Sequence, residues 1–111
     1  LTGRAHISIQ CDSEGERKLP GDVQIALYRI AQEALNNVVK HAHASQAVLT
    51  LHMGETVRLS VADNGAGFDP LTVTADHLGL KIMRERAETI GAKLSVYSEP
   101  GEGTQISVVW S

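Results

Sequence analysis

Residues 46–67 read Gln46-Ala47-Val48-Leu49-Thr50-Leu51-His52-Met53-Gly54-Glu55-Thr56-Val57-Arg58-Leu59-Ser60-Val61-Ala62-Asp63-Asn64-Gly65-Ala66-Gly67. Two runs, Gln46 to Met53 and Val57 to Ala62, alternate along the chain and are rich in β-branched residues and leucine, which is the period of a half-buried strand. Gly54-Glu55 joins them as the turn of an antiparallel hairpin. The second run then gives way to Asp63-Asn64-Gly65-Ala66-Gly67-Phe68. From Asp63 to about Leu78 no period is sustained, and an irregular stretch of that length in a small domain has the composition of a functional loop.

Working outward, Pro20 stands where a proline opens a helix, with Asp22 in the first turn. Val23, Leu27, Ile30, Ala31, Ala34, Leu35 and Val38 recur at three- and four-residue steps, predicting a helix from about 20 to about 41. Before it, Arg4 to Cys11 carries Ile7, Ile9 and Cys11 on one face of a period-two pattern, a first strand followed by a polar turn from Asp12 to Lys18. After the irregular loop, Leu80, Ile82, Met83, Ala87 and Ile90 restore helical spacing over Gly79 to Ile90, and Gly91 stands where a C′ glycine closes a helix. Lys93 to Ser98 and Thr104 to Trp110 alternate again around Glu99-Pro100-Gly101-Glu102-Gly103, a terminal hairpin. Amphipathic helices and half-buried strands in this order imply an α/β two-layer sandwich: a mixed, largely antiparallel sheet with the helices on one face. No internal repeat is present.

The chain has 111 residues, the size of one domain. Hydrophobic residues make up 42% and charged residues 21%, the balance of a folded protein and not of a disordered one. The net charge of −3 leaves no basic surplus for a phosphate backbone, and 4% aromatic residues provide no platform for stacking bases, so nucleic acid is not an expected partner. The single Cys11 excludes an internal disulfide and a cysteine zinc site. No apolar run approaches the roughly 18 residues of a membrane span, and the opening Leu1-Thr2-Gly3-Arg4 has neither an initiator methionine nor a signal peptide. The expectation is a cytoplasmic piece of a longer protein.

Four places carry residues suited to chemistry. On the first helix Glu33 and Asn37 stand at i and i+4 beside Asn36, Lys40 and His41, so one helical edge presents oxygen ligands and cations; a solvated helix face is the plainer reading. Asp63 at a strand end, followed by Gly65 and Gly67, suits a close backbone approach to a ligand, and equally an Asx-type turn. The spacing of acidic residues does not fit a calcium loop. His77-Leu78-Gly79-Leu80 opens the second helix, where backbone N–H groups and the dipole can face an anion or simply make a cap. Gly101-Glu102-Gly103-Thr104 by itself reads as a hairpin turn.

Taken jointly and in order, Glu33-Ala34-Leu35-Asn36-Asn37-Val38-Val39-Lys40-His41, then Asp63-Asn64-Gly65-Ala66-Gly67-Phe68, then Gly79-Leu80, then Gly101-Glu102-Gly103-Thr104, the chain resembles the catalytic ATP-binding domain of bacterial sensor histidine kinases, in the gyrase, heat-shock chaperone, histidine kinase and mismatch-repair ATPase superfamily. The resemblance covers about residues 20 to 110, and His77 to Ala87 is similar to the nitrate/nitrite-sensor-type kinases. It implies a Bergerat-type ATP-binding fold with ATP and Mg²⁺ as ligands. It places Mg²⁺ on Asn37, a hard oxygen ligand, with Lys40 and either His41 or Asn36 near the phosphates. Glu33 matches the glutamate that activates water in hydrolytic relatives and, in kinases, polarises the reaction or positions metal-bound water. Asp63 matches the aspartate that accepts a hydrogen bond from the adenine 6-amino group, with Gly65 and Gly67 admitting the base, which would select adenine over guanine. Phe68 to Leu78 resembles an ATP lid, with Leu78, Gly79 and Leu80 at the phosphate end and Thr104 near adenine.

The resemblance further implies a dimerisation domain bearing the phosphoacceptor histidine, a homodimeric and membrane-anchored parent protein, and a helix-turn-helix response regulator downstream. None of His6, His41, His43, His52 or His77 fits the acceptor, so residues 1–111 are expected to bind ATP as a monomer without holding their own substrate. Two other readings stay open: an anti-sigma-type protein serine kinase or gyrase-type clamp, and a pseudokinase module that binds a partner and no nucleotide.

Overall fold

The computed structural model describes residues 7–40, 44–67 and 79–111. Strand β1 (Ser8–Glu14) is followed by helix α1 (Gly21–Lys40), strands β2 (Gln46–Met53) and β3 (Val57–Asp63), helix α2 (Leu80–Thr89), and strands β4 (Lys93–Ser98) and β5 (Thr104–Trp110). The strands form one sheet in the order β1-β2-β3-β5-β4. Strands β2 and β3 pair antiparallel, as do β3 with β5 and β4 with β5, while β1 runs parallel to β2. Parallel pairing needs a crossover that returns the chain to the starting end of the sheet, and α1 supplies it.

Alternation decides which face is covered. Leu59 and Val61 of β3, Leu94 of β4, and Ile106 and Val108 of β5 point to one side and form a single cluster with Val23, Leu27, Ile30, Ala34 and Val38 of α1 and Leu80, Met83 and Ala87 of α2. Both helices therefore lie on the same face, as the sequence predicts. The opposite face carries a cross-strand row of Asp12, Thr50, Ser60, Ser107 and Ser95.

Three elements differ most in their bounds from the sequence reading. Strand β1 ends three residues later, because pairing with β2 carries it through Asp12, Ser13 and Glu14. As an edge strand it is exposed along its length, Ile9 included. Pro20 precedes α1 instead of starting it: its carbonyl accepts from Val23 N at 3.1 Å and Gln24 N at 3.0 Å, closing the first turn. The third is α2, which starts at Leu80 because Gly79 is its left-handed N-cap.

The end of α2 follows its expected chemistry. Gly91, at φ +70°, donates to Glu88 O at 3.1 Å, and Ala92 donates to Ala87 O at 2.9 Å, the paired bonds of a Schellman motif. Gly91→Ala forces a Cβ into the left-handed region, so it should lower stability by about 1–2 kcal/mol in thermal or urea unfolding.

Arg17 ties the β1–α1 connection to the β2–β3 hairpin. Its guanidinium donates to Gly54 O at 3.1 Å and Glu55 O at 2.7 Å, and it lies 4.8 Å from the centre of the Trp110 ring.

Candidate nucleotide-binding site

Asp63 is the last residue of β3, in the middle of the sheet, with Ala47 of β2 on one side and Thr104 of β5 on the other. Its two carboxylate oxygens divide the two readings of the sequence between them. Oδ1 accepts from Gly65 N at 2.8 Å, which is an Asx turn. Oδ2 has no hydrogen-bond partner among the described residues and is left as an acceptor. The turn thus fixes the half-buried carboxylate in orientation without consuming it.

Asn64 does structural work. Its side-chain oxygen accepts from Ser45 N at 3.0 Å and Gln46 N at 2.9 Å, its amide donates to Ser45 Oγ at 2.9 Å, and its own N–H bonds Gln46 O at 3.2 Å. These bonds lock the start of β2 to the end of β3, directly beside Asp63.

Two glycines interlock the loop after Asp63 with the β4–β5 turn. Gly67, at φ +67°, leaves no space for a Cβ: one would collide with Glu99 O and stand 2.9 Å from Gly103 O. Gly103, at φ +81°, is equally constrained by Asp63 O. Gly101 N also donates to Ala66 O. The absent side chain of Gly67 therefore admits the close approach of the 99–103 turn. Gly65 is buried in the same turn.

Ser98 is a residue the sequence reading missed. It is 3% exposed, donates to Gly103 O at 3.0 Å and shares a 2.9 Å hydrogen bond with Thr104 Oγ1. A usable signal existed: Ser98 has the same strand parity as Leu94 and Val96, so a polar residue was due on the inward face. The Thr104 hydroxyl is held by this contact next to Asp63.

At the other end of the site, Glu33 and Asn37 stand one turn apart on α1, both half-buried along the edge of its core stripe, while Asn36 and Lys40 are exposed. Gly79 faces them. At φ 67°, ψ 16° it is the N-cap of α2, and a Cβ there would stand 2.7 Å from Glu33 Cδ and 2.8 Å from Cγ, with Oε1 nearer still. Leu80 is a core residue, so what it can offer a ligand is its backbone N–H. His41, Leu78 and the lid segment 68–78 lie outside the described residues.

The charge at this end of the sheet is negative around the β4–β5 turn. The Glu99 carboxylate holds the Tyr97 phenol above its ordinary value, with partial desolvation and then Glu102 adding to the effect. A hydrogen bond and like-charge repulsion from Glu99 raise Glu102 as well. Among the described residues no cluster of three or more His, Cys, Asp or Glu side chains could hold a metal. Glu33 and Asn37 nonetheless fit a hard cation that takes its remaining ligands from phosphate oxygens and water, the usual habit of Mg²⁺.

A mixed five-stranded sheet under two helices, ending in a fixed aspartate beside two interlocked glycine turns, is the arrangement of a known class. Residues 22–111 match the family of histidine kinase-, DNA gyrase B- and HSP90-like ATPases, and the chain belongs to it. Its relatives include the sensor histidine kinase LiaS of Bacillus subtilis (strain 168), 46% identical over 87 residues that span 78% of this chain and 24% of LiaS. They also include the nitrate/nitrite sensor protein NarX of Escherichia coli (strain K12), 36% identical over 95 residues that span 85% of this chain and 16% of NarX. The chain therefore covers about a quarter or less of the length of these relatives.

Solved structures agree. Full-length ShkA in complex with AMPPNP superposes with a TM-score of 0.77 at 26% identity, over 94% of this chain and 25% of ShkA. The blue-light activated histidine kinase of Erythrobacter litoralis EL346 gives 0.77 at 25% identity, over 97% of this chain and 36% of that one. The match to NarX also supports the similarity to nitrate/nitrite-sensor-type kinases seen in residues 77–87.

Proposed function

We propose that this chain is the catalytic domain of a sensor histidine kinase, which binds Mg·ATP and, within a longer homodimeric protein, transfers the γ-phosphoryl group to a histidine on a dimerisation domain. The observation that carries this reading is the fixed acceptor Asp63 Oδ2 at the end of the central strand of a chain that belongs to the histidine kinase-, DNA gyrase B- and HSP90-like ATPases. In the transfer the bond from γ-phosphorus to the bridging oxygen breaks, ADP leaves, and a bond to an imidazole nitrogen forms. Such a transition state needs mainly positioning and charge neutralisation, so a small cradle suffices.

Asp63 would accept the adenine amino hydrogen, while Thr104 and buried Gly65 border the base. Asn37 would hold Mg²⁺, which neutralises charge on the triphosphate, and Lys40 with Asn36 or His41 would meet the phosphates. The amides at Gly79 and Leu80 would meet a phosphate oxygen, and Glu33 would hold metal-bound water. Among the described residues no helix is long and apolar enough to cross a membrane. We place the domain on the cytoplasmic side of a membrane-anchored parent that signals to a response regulator.

Calorimetric titration of residues 1–111 with AMPPNP, with and without Mg²⁺ and beside the GTP analogue, tests the binding half. Saturable adenine-selective binding, about micromolar to millimolar and so about −8 to −4 kcal/mol, is the expected result. No binding at millimolar ligand would overturn it.

A further inference from the structure

On the helix-covered face, strands β2, β3, β5 and β4 carry apolar rows, of which Leu49-Val61-Ile106-Val96 is one, until the sheet end that holds Asp63. There the row is Ala47-Asp63-Thr104-Ser98, and three of its four residues are polar. Side chains directly opposite on adjacent strands stand about 4.5–5.5 Å apart at Cβ, so Thr104 lies within reach of both Asp63 and Ser98.

The protons of this row can be assigned by counting. Ser98 Oγ has one proton and a carbonyl oxygen has none, so the 3.0 Å bond between Ser98 and Gly103 O uses the serine proton. The 2.9 Å bond between the two hydroxyls must then run from Thr104 Oγ1 to Ser98 Oγ. Both protons are thus drawn away from Asp63, along Thr104 to Ser98 to Gly103 O, and Thr104 Oγ1 keeps only acceptor capacity. Ser98 is 3% exposed, so solvent does not compete for these bonds.

We infer that Ser98 is a positioning residue for base recognition: by accepting the Thr104 proton and passing its own to Gly103 O, it keeps a hydroxyl proton off Asp63 Oδ2 and leaves that oxygen open to an amino donor on the bound base. This rests on the nucleotide reading above. Without the Ser98 hydroxyl, the acceptor remaining to Thr104 on the row is the Asp63 carboxylate. A hydroxyl bonded to a carboxylate is a charge-assisted pair, stronger than a neutral one, and it would compete with the ligand for the same lone pairs.

The test is a double-variant cycle in which calorimetry gives the affinity of AMPPNP in Mg²⁺ for the wild-type domain, Ser98→Ala, Thr104→Val and the two combined. Valine keeps the shape of threonine and removes its proton. Ser98→Cys fills the serine's space with a poor hydrogen-bond partner and repeats the cycle without a cavity. Melting curves on the same proteins establish that each is folded. The expected result is that Ser98→Ala weakens binding by about threefold to tenfold when Thr104 is present and by less than about twofold in the Thr104→Val background, where no proton remains to be diverted.

Ser98 also holds Gly103 O, and a role confined to shaping that turn would weaken binding equally in both backgrounds. Equal losses in the two backgrounds, or undiminished affinity in Ser98→Ala and Ser98→Cys, would therefore overturn the inference while the nucleotide reading stands. A wild-type domain that binds no AMPPNP would overturn the nucleotide reading itself and the inference with it.

Discussion

Asp63→Ala should weaken AMPPNP binding by about 10- to 100-fold, the cost of losing one charge-assisted hydrogen bond in a partly desolvated site. Because Oδ1 also holds Gly65 N, alanine releases the Asx turn as well, and the loss mixes binding with local order. Asp63→Asn separates the two. Its carbonyl oxygen can keep the bond to Gly65 while its amide turns a donor toward the adenine amino group, leaving two donors face to face. The asparagine variant should unfold at nearly the wild-type temperature yet lose adenine binding as fully as alanine. Undiminished AMPPNP affinity in Asp63→Asn, measured by calorimetry, would remove Asp63 from the site. The same titration with a GTP analogue should show little binding by any of the three proteins.

The second large effect is on stability. Ile30 is 1% exposed and Ile25, five residues earlier on the same helix, is 59% exposed. Ile30→Ala removes methyl and methylene groups from the centre of the cluster between α1, α2 and the sheet and leaves a cavity, so it should cost about 2–5 kcal/mol. That is a large part of the roughly 5–15 kcal/mol that holds a domain folded. Melting should fall by about 10 °C or more. Ile25→Ala deletes the same atoms from a surface that is already wet and should change stability by less than about 0.5 kcal/mol. Equal melting temperatures for the two variants would contradict the helix orientation described above.

The elements were legible because their signals are local. Alternation in Gln46–Met53, Val57–Ala62 and Thr104–Trp110 places inward residues every second position, and a three- and four-residue repeat from Val23 to Val38 does the same for α1. Gly91 was legible as a helix end for the same kind of reason, since a left-handed residue after the last turn is a local requirement. Strand β1 was read less well. Its polar residues Asp12, Ser13 and Glu14 join the sheet because the partner strand β2 offers a parallel edge, and no pattern within residues 8–14 announces that.

At the site, the resemblance carried by the motifs pointed to Asp63, Gly67, Gly79, Thr104, Glu33 and Asn37, but several of their immediate partners were missed. The inward parity of Ser98 was legible, but that its hydroxyl lies between Gly103 O and Thr104 Oγ1 depends on the turn packed against it. That the missing side chain of Gly67 makes room for the turn at 99–103 was not read from the sequence.

What the sequence determined by itself, then, is the identity of the elements, the sidedness of each, and the residues whose conformational demands mark turns, because each of those follows from neighbours within a few positions. The tertiary structure alone decided that β1 pairs parallel with β2, that Gly67 and Gly103 close on Glu99 and Asp63, and that Glu33 meets Gly79 across 46 positions of chain. Those contacts depend on how two helices and five strands settle around one buried cluster, and that packing is a property of the whole chain at once.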